Sequence, residues 1–489
     1  GIILISHDTR EMMSLCDRVS VMKNGKVVGT ERVEDVTTHE HLGVGARHTA
    51  LDFELAEAPE HRELFTWTDD SGARHSRYFK RPEDAQDLLN RREMIETSTR
   101  ESASVVLLVK EIGTDALFAL DLVSQVVDGK AGTSYNTRVA AFYRHCRDND
   151  LTLAVAQTDV KGDRSLSPTQ QEHPDYYVHI VEERDDGIVV RGAKAHTTGT
   201  PFVDEIIVLP TRAIGEDDAD YAVAFAIPVN TPGVKLLASP FGAGDSPSAF
   251  HSPISSTHRL VDTLTVFDDV FVPKERVFLQ KEWPAAGFLA NTFVEFHRFT
   301  AVSYKPPLCD LFIGAAALLA DFNGIQKASH VRDKLTKLIT WTETVRGLSR
   351  AAAFDCRVTD FGLAVPNIMQ TNLAKYQFAA HYHEAICWVQ DIAGGLVVTG
   401  PDEADLASPE TRPYIDRFFG GAGVGAEDRL KALNLVRDLT ASDFGGYNQL
   451  LAIHAEGSLE AQKITIFRDY DLDRCKDLAA LAIGVNRSK

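Results

Sequence analysis

The chain is poor in cysteine, and the cysteines it has are scattered. Its 489 residues include six, at Cys16, Cys146, Cys309, Cys356, Cys387 and Cys475, with no C-x-x-C and no C-x-x-x-C spacing. A zinc or iron–sulfur site draws a closely spaced pair of ligands from one element, and this spacing supplies none. A disulfide framework is not expected in a long chain without a secretory leader, and GIILI at the start lacks a basic n-region and a cleavage site. The thiols therefore read as buried, reduced, small hydrophobes. Positive charge is also short: 51 Lys+Arg face 70 Asp+Glu, a net charge of −19. That balance repels phosphate and disfavours nucleic acid or an anionic membrane as partner. No apolar run approaches the ~20 residues that span a bilayer, so a soluble cytoplasmic enzyme is expected. No G-x-x-x-x-G-K-[ST] occurs, which removes that phosphate cradle. No G-x-G-x-x-G follows a predicted strand either. The glycines of GGAGVG follow Arg417-Phe418-Phe419 in a helical region, so a nicotinamide domain is not expected. Repeats and low-complexity tracts are absent.

What remains is ordinary globular composition, 44% hydrophobic and 25% charged, in a chain long enough for two or three domains. The start stands apart. GIILISHD is strand-like and ends in Ser-His-Asp, REMMSLCDR reads as a short helix, and VSVMKNGKVVGT reads as a hairpin turning on Asn24-Gly25. From 46 to 150 apolar residues recur at three and four spacing through AQDLLNRREMIETSTR and VVLLVKEIGTDALFALDLVSQVV, which predicts helices. From 151 to 285 short β-rich runs take over: LTLAVAQT, YYVHIVEE, GIVVRGAKA, EIIVLPT, YAVAFAIPV and LTVFDDVFVP, with a hairpin turn at Asp185-Asp186-Gly187. From 286 to 489 long amphipathic helices return, as in LFIGAAALLADFNGIQKASHVRDKLTKLITWTETVRGL. Helix, then sheet, then helix is the order to explain.

The middle segment carries the densest polar signal. Gln157-Thr158-Asp159-Val160-Lys161-Gly162-Asp163-Arg164-Ser165 closes one strand, and Lys194-Ala195-His196-Thr197-Thr198-Gly199 ends another. Hydroxyls, amides and a lysine at strand ends suit a flat heterocycle with several acceptors, and glycine admits close backbone approach. The same residues also serve as ordinary strand-capping turns. Likewise, Gly394-Gly395 in QDIAGG is compatible with close helix packing.

Several blocks resemble known sequences. Residues 1–45 are similar to the C-terminal end of the nucleotide-binding subunit of sugar-importing ABC transporters, with His7 at the switch-histidine position. Without a phosphate cradle this segment is read as a fusion remnant lacking ATPase activity. The remainder, from about residue 50, resembles one flavoprotein superfamily through TDVKGDRSLSP, DDGIVVRGAKAHTTGTPFVDEIIVLPTR, VFDDVFVPKERVFL, GAAALLADFNGIQKASHVRDKL and QDIAGGLVVTGPDEADL. That superfamily contains 4-hydroxyphenylacetate 3-hydroxylase and 4-hydroxybutyryl-CoA dehydratase. The resemblance implies an α+β, acyl-CoA dehydrogenase-like fold: a helical N-terminal domain, a β-barrel-like middle domain and a C-terminal helical bundle. It also implies a homotetramer with FAD between middle domain and bundle. By position, Gln157, Thr158, Lys161 and Asp163 would line the flavin, and Thr197 and Thr198 would flank its reactive edge. Gln390, Gly394 and Gly395 would meet the nucleotide end, and Gly457 and Ser458 would form a further flavin-side loop.

The residues that separate the two branches depart from both. The dehydratase pattern holds an iron–sulfur cluster with a cysteine pair, a histidine and a third cysteine. Here those positions are Leu107, Glu111, His297 and Tyr304, and one imidazole without thiolates cannot hold a cluster. The hydroxylase pattern holds a phenol with R-x-x-x-Y, and those positions are Ile112 and Ala116. A distinctive set remains. His297, Tyr304 and Lys305 share a helical face at i, i+7 and i+8, with Pro306-Pro307 expected to end the helix. Asp262 stands where the dehydratase has a catalytic glutamate, and Lys110 and Glu111 are placed to face the same cavity. His297, Tyr304, Lys305 and Asp262 form either an acid–base site or a hydrogen-bonded core network. The resulting expectation is a reduced-flavin-dependent monooxygenase acting on an aromatic or small organic substrate. FADH2 would come from a separate NAD(P)H-dependent reductase, and no metal is expected. The alternative is a cluster-free dehydratase-like lyase or isomerase using FAD.

Overall fold

The computed structural model describes residues 18–23, 26–32, 40–239 and 248–486. His7 and the helix expected around REMMSLCDR lie outside these residues, apart from Arg18. Strands β1 (Arg18–Lys23) and β2 (Lys26–Arg32) pair antiparallel with Lys23 opposite Lys26, the register of a two-residue hairpin.

An N-terminal helical layer follows. It comprises α1 (Glu40–Glu57), the short α2 (Arg62–Phe65), α3 (Ala85–Glu101), α4 (Glu111–Ala131) and α5 (Tyr135–Asp148), interrupted by a small hairpin of β3 (Thr66–Thr68) and β4 (Arg74–Ser76). Local chemistry sets its boundaries. The Asp84 carboxylate accepts the Asp87 N–H at the start of α3, and Gly132 ends α4 in the left-handed region at φ 69°.

The middle domain comprises β5 (Leu153–Ala156), β6 (His179–Arg184), β7 (Gly187–Thr198), β8 (Glu205–Val208), β9 (Val223–Pro228), β10 (Val234–Ala238), β11 (Asp262–Pro273) and β12 (Val277–Gln280). They form two four-stranded sheets, ordered β10-β11-β7-β6 and β12-β9-β8-β5. The expected barrel-like domain is therefore a pair of sheets, and the described strands do not close. Val190 and Phe267 from one sheet pack with Ile206, Val208 and Phe225 from the other in a shared apolar cluster. The turn at Asp185-Asp186 joins β6 to β7 with Arg184 opposite Gly187, as its residues predict. Pairing of β7 with β11 sets Thr198 opposite Asp262 and Thr197 opposite Thr263. Residues more than sixty positions apart thereby meet at one strand end.

The C-terminal bundle is built on α6 (Trp283–Phe322), α7 (Ser329–Phe354) and α8 (Ile368–Ala393). A two-residue hairpin of β13 (Arg357–Val358) and β14 (Ala364–Val365) links the last two. Shorter helices α9 (Glu403–Ala407), α10 (Arg412–Phe418), α11 (Ala426–Thr440), α12 (Asp443–His454), α13 (Leu459–Asp469) and α14 (Leu472–Ala482) complete it. The α+β, acyl-CoA dehydrogenase-like organisation is thus observed in the predicted order. One local expectation fails. Pro306 and Pro307 lie inside α6, which continues fifteen residues beyond Pro307. Proline costs an interior hydrogen bond, but Val302 through Pro307 are all buried, and α6 packs against α3, α4, α7, α8 and α11. Packing on every side outweighs the local penalty. Among the described residues no helix is long and apolar enough to cross a membrane.

The first turn of α4 approaches the middle domain at Gly113. A Cβ there would lie 2.1 Å from Cβ of Leu153 on β5. Gly113→Ala is expected to destabilise the protein by about 1–3 kcal/mol, the usual cost of overpacking. Urea unfolding measures it as a fall in the midpoint at unchanged slope. Equal midpoints for wild type and Gly113→Ala would show that α4 is free to move away.

Candidate active site

One carboxylate gathers the polar groups of the bundle. Glu456, in the turn between α12 and α13, has a side chain only 2% exposed. The Tyr304 hydroxyl on α6 donates to its Oε1. Lys305 Nζ lies 3.2 Å from Oε2, and Lys375 Nζ on α8 lies 3.3 Å from the same oxygen. Burial alone would raise the Glu456 pKa, but the two lysines, His297 and Tyr304 together hold it down at about 2. Two buried ammonium groups sharing one carboxylate leave an excess positive charge. Burial pushes Lys305 down to about 7 despite Glu456, with Lys375 pushing the same way. Lys375, which also donates to the Ala452 carbonyl at 2.7 Å, is lowered by burial too. Tyr304 is raised well above its ordinary value by burial and by Glu456, so it stays a hydrogen-bond donor.

The backbone that delivers Glu456 is constrained. Glu456 has φ 54° and Gly457 φ 97°, both left-handed, and non-glycine residues rarely occupy that region. Arg298 holds the turn, with Nε donating to the Glu456 carbonyl at 2.8 Å and a second nitrogen to Asn372 at 2.8 Å. A Cβ on Gly457 would lie 2.6 Å from the Arg298 guanidinium, which explains glycine there. Ser458 caps α13 by accepting the Ala461 N–H.

His297 sits one layer away. Its Nδ1 lies 3.4 Å from Asp115 Oδ2 on α4, and its ring stacks on Phe293 with centroids 5.2 Å apart. Asp115 is itself fixed by Arg91 at 2.7 Å and by the Thr300 hydroxyl at 3.0 Å. A carboxylate on Nδ1 selects the tautomer and aim of an imidazole, and leaves Nε2 directed elsewhere. His297 also contributes to the field that stabilises the Glu456 anion, so the two clusters adjoin.

Asp262 belongs to the seam with the middle domain. Thr198 donates to one of its oxygens at 2.6 Å and Tyr447 on α12 to the other at 2.8 Å. Tyr447 in turn feels the charge of Glu456. The structure thus pairs His297 with Asp115, Tyr304 and Lys305 with Glu456, and Asp262 with Tyr447. None of Asp115, Glu456, Tyr447 and Lys375 belongs to the set singled out in the sequence. The available signals were a carboxylate inside the apolar run IGTDALFA and a glutamate immediately before Gly457. Lys110 does not face this site. Its Nζ lies 2.8 Å from both Asp52 and Asp150 and over the Phe53 ring.

The residues expected to hold the flavin divide into three groups. Thr197 and Thr198 end β7 at the seam, and the Thr197 hydroxyl is fully buried without a hydrogen-bond partner. A buried orphan hydroxyl needs a partner, which fits a bound heterocycle with acceptor atoms. Gln157, Thr158 and Lys161 lie on the strand end opposite. The Gln157 carbonyl accepts from Lys194 at 2.9 Å and from Thr211 at 2.6 Å, and Thr158 accepts the Ala195 N–H at 2.8 Å. Lys161, left-handed at φ 76°, has its pKa lowered by burial and Arg164. Asp163 is exposed, and its carboxylate closes a local turn by accepting from the Ser165 N–H and hydroxyl at 2.9 and 2.7 Å. In the bundle, Gln390 donates to Thr440 at 3.1 Å. Gly394 and Gly395 line a separate groove of about 490 Å³ with Gly420, Gly421 and Arg429. Among the described residues no three His, Cys, Asp or Glu side chains gather as metal ligands.

Comparison with known proteins agrees with this architecture. Residues 19–279 match the family model described as 4-hydroxyphenylacetate 3-hydroxylase N terminal, and residues 286–484 match its C-terminal counterpart. The first match begins within the stretch that resembles a transporter subunit. A 4-hydroxybutyryl-CoA dehydratase/vinylacetyl-CoA-Delta-isomerase from Clostridium aminobutyricum is 32% identical, over 93% of this chain and 95% of its own. The oxygenase component of 4-hydroxyphenylacetate 3-monooxygenase from Thermus thermophilus is 29% identical, over 91% and 92%. Among solved structures, an oxygen-tolerant archaeal 4-hydroxybutyryl-CoA dehydratase from N. maritimus superposes with a TM-score of 0.87 at 29% identity, covering 98% of this chain and 94% of that one. An oxygenase component of 4-hydroxyphenylacetate 3-monooxygenase complexed with FAD gives 0.85 at 27%, covering 93% and 94%.

The lysine pair has a consequence for stability. Lys305 loses its proton near pH 7 in the folded state and near its ordinary 10.5 when unfolded. Between those values the unfolded chain binds more protons, so stability rises with pH. Lys305→Met is expected to flatten that rise, because Glu456 and Lys375 then balance one to one. Urea unfolding across this range tests it, and identical slopes in both proteins would refute the assignment.

Proposed function

From membership of the 4-hydroxyphenylacetate 3-hydroxylase family, to which the chain belongs, we propose that this protein is a reduced-flavin-dependent monooxygenase acting on an aromatic or other small organic substrate. The observation that carries the reading is the seam itself. An unpartnered, buried Thr197 hydroxyl and the Thr198–Asp262–Tyr447 chain face a bundle wall that supplies Tyr304, Lys305 and His297. FAD fits this seam through Gln157, Thr158, Lys161, Thr197 and Thr198. The exposed Gly394-Gly395 groove, beside Gln390, suits its nucleotide end. When bound in reduced form, FAD supplies the electrons that activate oxygen.

The chain's own residues perform the remaining tasks. The positive excess of Lys305 and Lys375 over Glu456 stabilises a phenolate or carboxylate in the substrate. Tyr304, held protonated, donates to Glu456 and keeps that carboxylate beside the two lysines. His297, aimed by Asp115, exchanges a proton with the substrate through Nε2. Buried apolar walls on α6 exclude water from the reacting atoms. The relatives include oxygenase components and an FADH2-dependent monooxygenase. Together with the lack of a nicotinamide motif, they support a separate NAD(P)H-dependent flavin reductase as partner. A homotetramer is supported by large apolar side chains left exposed on α13 and α14, among them Phe467, Leu478 and Leu481.

A specific observation favours a second reading. The same Lys305–Glu456–His297 set can shuttle protons without oxygen, and a dehydratase/isomerase is among the relatives. In that case the enzyme is a lyase or isomerase of acyl-CoA thioesters that uses FAD without a metal cluster, since Leu107, Glu111 and Tyr304 offer no thiolate.

The deciding experiment couples the purified protein to a flavin reductase, NADH and candidate phenols. Hydroxylated product is expected, with His297→Gln lowering kcat at least ~10²-fold, the scale of a lost general acid–base group. Oxygen consumption that is identical with and without every phenol, and released entirely as peroxide, would overturn the monooxygenase. Anaerobic turnover of vinylacetyl-CoA without a reductant would establish the second reading instead.

A further inference from the structure

Glu111 opens α4 with its side chain fully buried. Its Oε2 accepts the backbone N–H groups of Val109 at 3.1 Å and Lys110 at 3.2 Å, while Oε1 has no partner. Among the described residues no cation forms an ion pair with this carboxyl. Lys110 turns away to Asp52 and Asp150. Arg91 donates to the Glu111 carbonyl and to Asp115 rather than to the carboxyl. Asp52 on α1 adds a like charge. Tyr78 before α3 and Tyr304 on α6 both feel Glu111, which places it between the N-terminal layer and the Tyr304–Lys305 wall. Burial and Asp52 raise its pKa to about 7 against the pull of its own and Lys110's backbone N–H groups and of Arg91. A buried carboxyl in such surroundings is favoured in its neutral form, as a hydrogen-bond donor.

The preceding chain points the same way. Ala103, Ser104 and Leu108 all have positive φ, at 52°, 70° and 51°, and such strain persists where surrounding structure enforces it, commonly at ligand sites. The Leu108 carbonyl lies 3.8 Å from the place a Cβ of Gly199 would take. Leu108 therefore abuts the end of β7, where the Thr197 hydroxyl is also buried without a hydrogen-bond partner among the described residues. A hydroxyl and a carboxyl, each fully buried and each lacking a partner, thus flank one junction from opposite domains.

We propose that Glu111 is a substrate-binding acid whose neutral carboxyl donates a hydrogen bond from Oε1 to an anionic or carbonyl oxygen of the ligand. The role is binding and orientation, and it rests on the junction being the substrate site. Two sources present this chemistry, a phenolate and an acyl-CoA thioester. The occupant is a single acceptor oxygen in either case.

Infrared difference spectroscopy of the flavin-loaded protein tests this directly. Wild type should show a protonated-carboxyl C=O band that titrates near pH 7, absent in Glu111→Gln. The band should move to lower frequency on saturation with 4-hydroxyphenylacetate or with vinylacetyl-CoA, and whichever ligand moves it identifies the source. By calorimetry, Glu111→Leu should weaken that ligand about tenfold, the scale of one lost hydrogen bond. Glu111→Gln, which keeps a donor, should stay within about threefold. No wild-type band distinguishable from Glu111→Gln, or a band unmoved by both ligands, would overturn the proposal. A moved band in a protein that hydroxylates no phenol would sustain Glu111 as the contact while removing the monooxygenase reading.

Discussion

The arrangement around Glu456 organises the bundle. A buried ammonium is costly without a counter-charge, and here Lys305 from α6 and Lys375 from α8 depend on one carboxylate from the α12–α13 turn. The demand reaches backward into the chain. Glu456 meets both lysines from a left-handed turn, and that turn is pinned by Arg298 through the Glu456 carbonyl. Gly457 must then be glycine, because any side chain would strike the guanidinium. One charge requirement thus specifies a turn, its glycine and the approach of three helices.

The same arrangement explains how a site forms at a domain boundary. Pairing of β7 with β11 brings Thr198 to Asp262. Tyr447 carries that contact to the bundle, next to Glu456. On the far side, Asp115 links α4 to His297 on α6 and to Arg91 on α3. The carboxylates of Asp115 and Asp262 are each held by other elements, and such fixing is what orientation of a reacting group requires. Among the described residues the Thr197 hydroxyl and one Glu111 oxygen are buried without a hydrogen-bond partner, as is Nε of Arg91.

Much of this was legible in the residues. Helix–sheet–helix order followed from apolar spacing. The β6–β7 turn followed from Asp185-Asp186-Gly187, and the α6 face carrying His297, Tyr304 and Lys305 from their i, i+7 and i+8 positions. Other features were hidden for identifiable reasons. Pro306-Pro307 reads locally as a stop, yet a helix packed on nearly every side absorbs the lost hydrogen bonds. Glu456, Asp115 and Lys375 carry no spacing signal, because their partners lie on other elements. The turn that Asp163 closes with Ser165 also carries no spacing signal.

The sequence by itself determined the architecture and the membership of the family. Both are properties of residue type and local period. Which groups are charged, paired or left with a free oxygen was decided only by the tertiary structure. Burial and partners set protonation, and the partners are brought from across the chain: Glu456 to Lys305, Asp115 to His297, and nothing at all to the outer oxygen of Glu111.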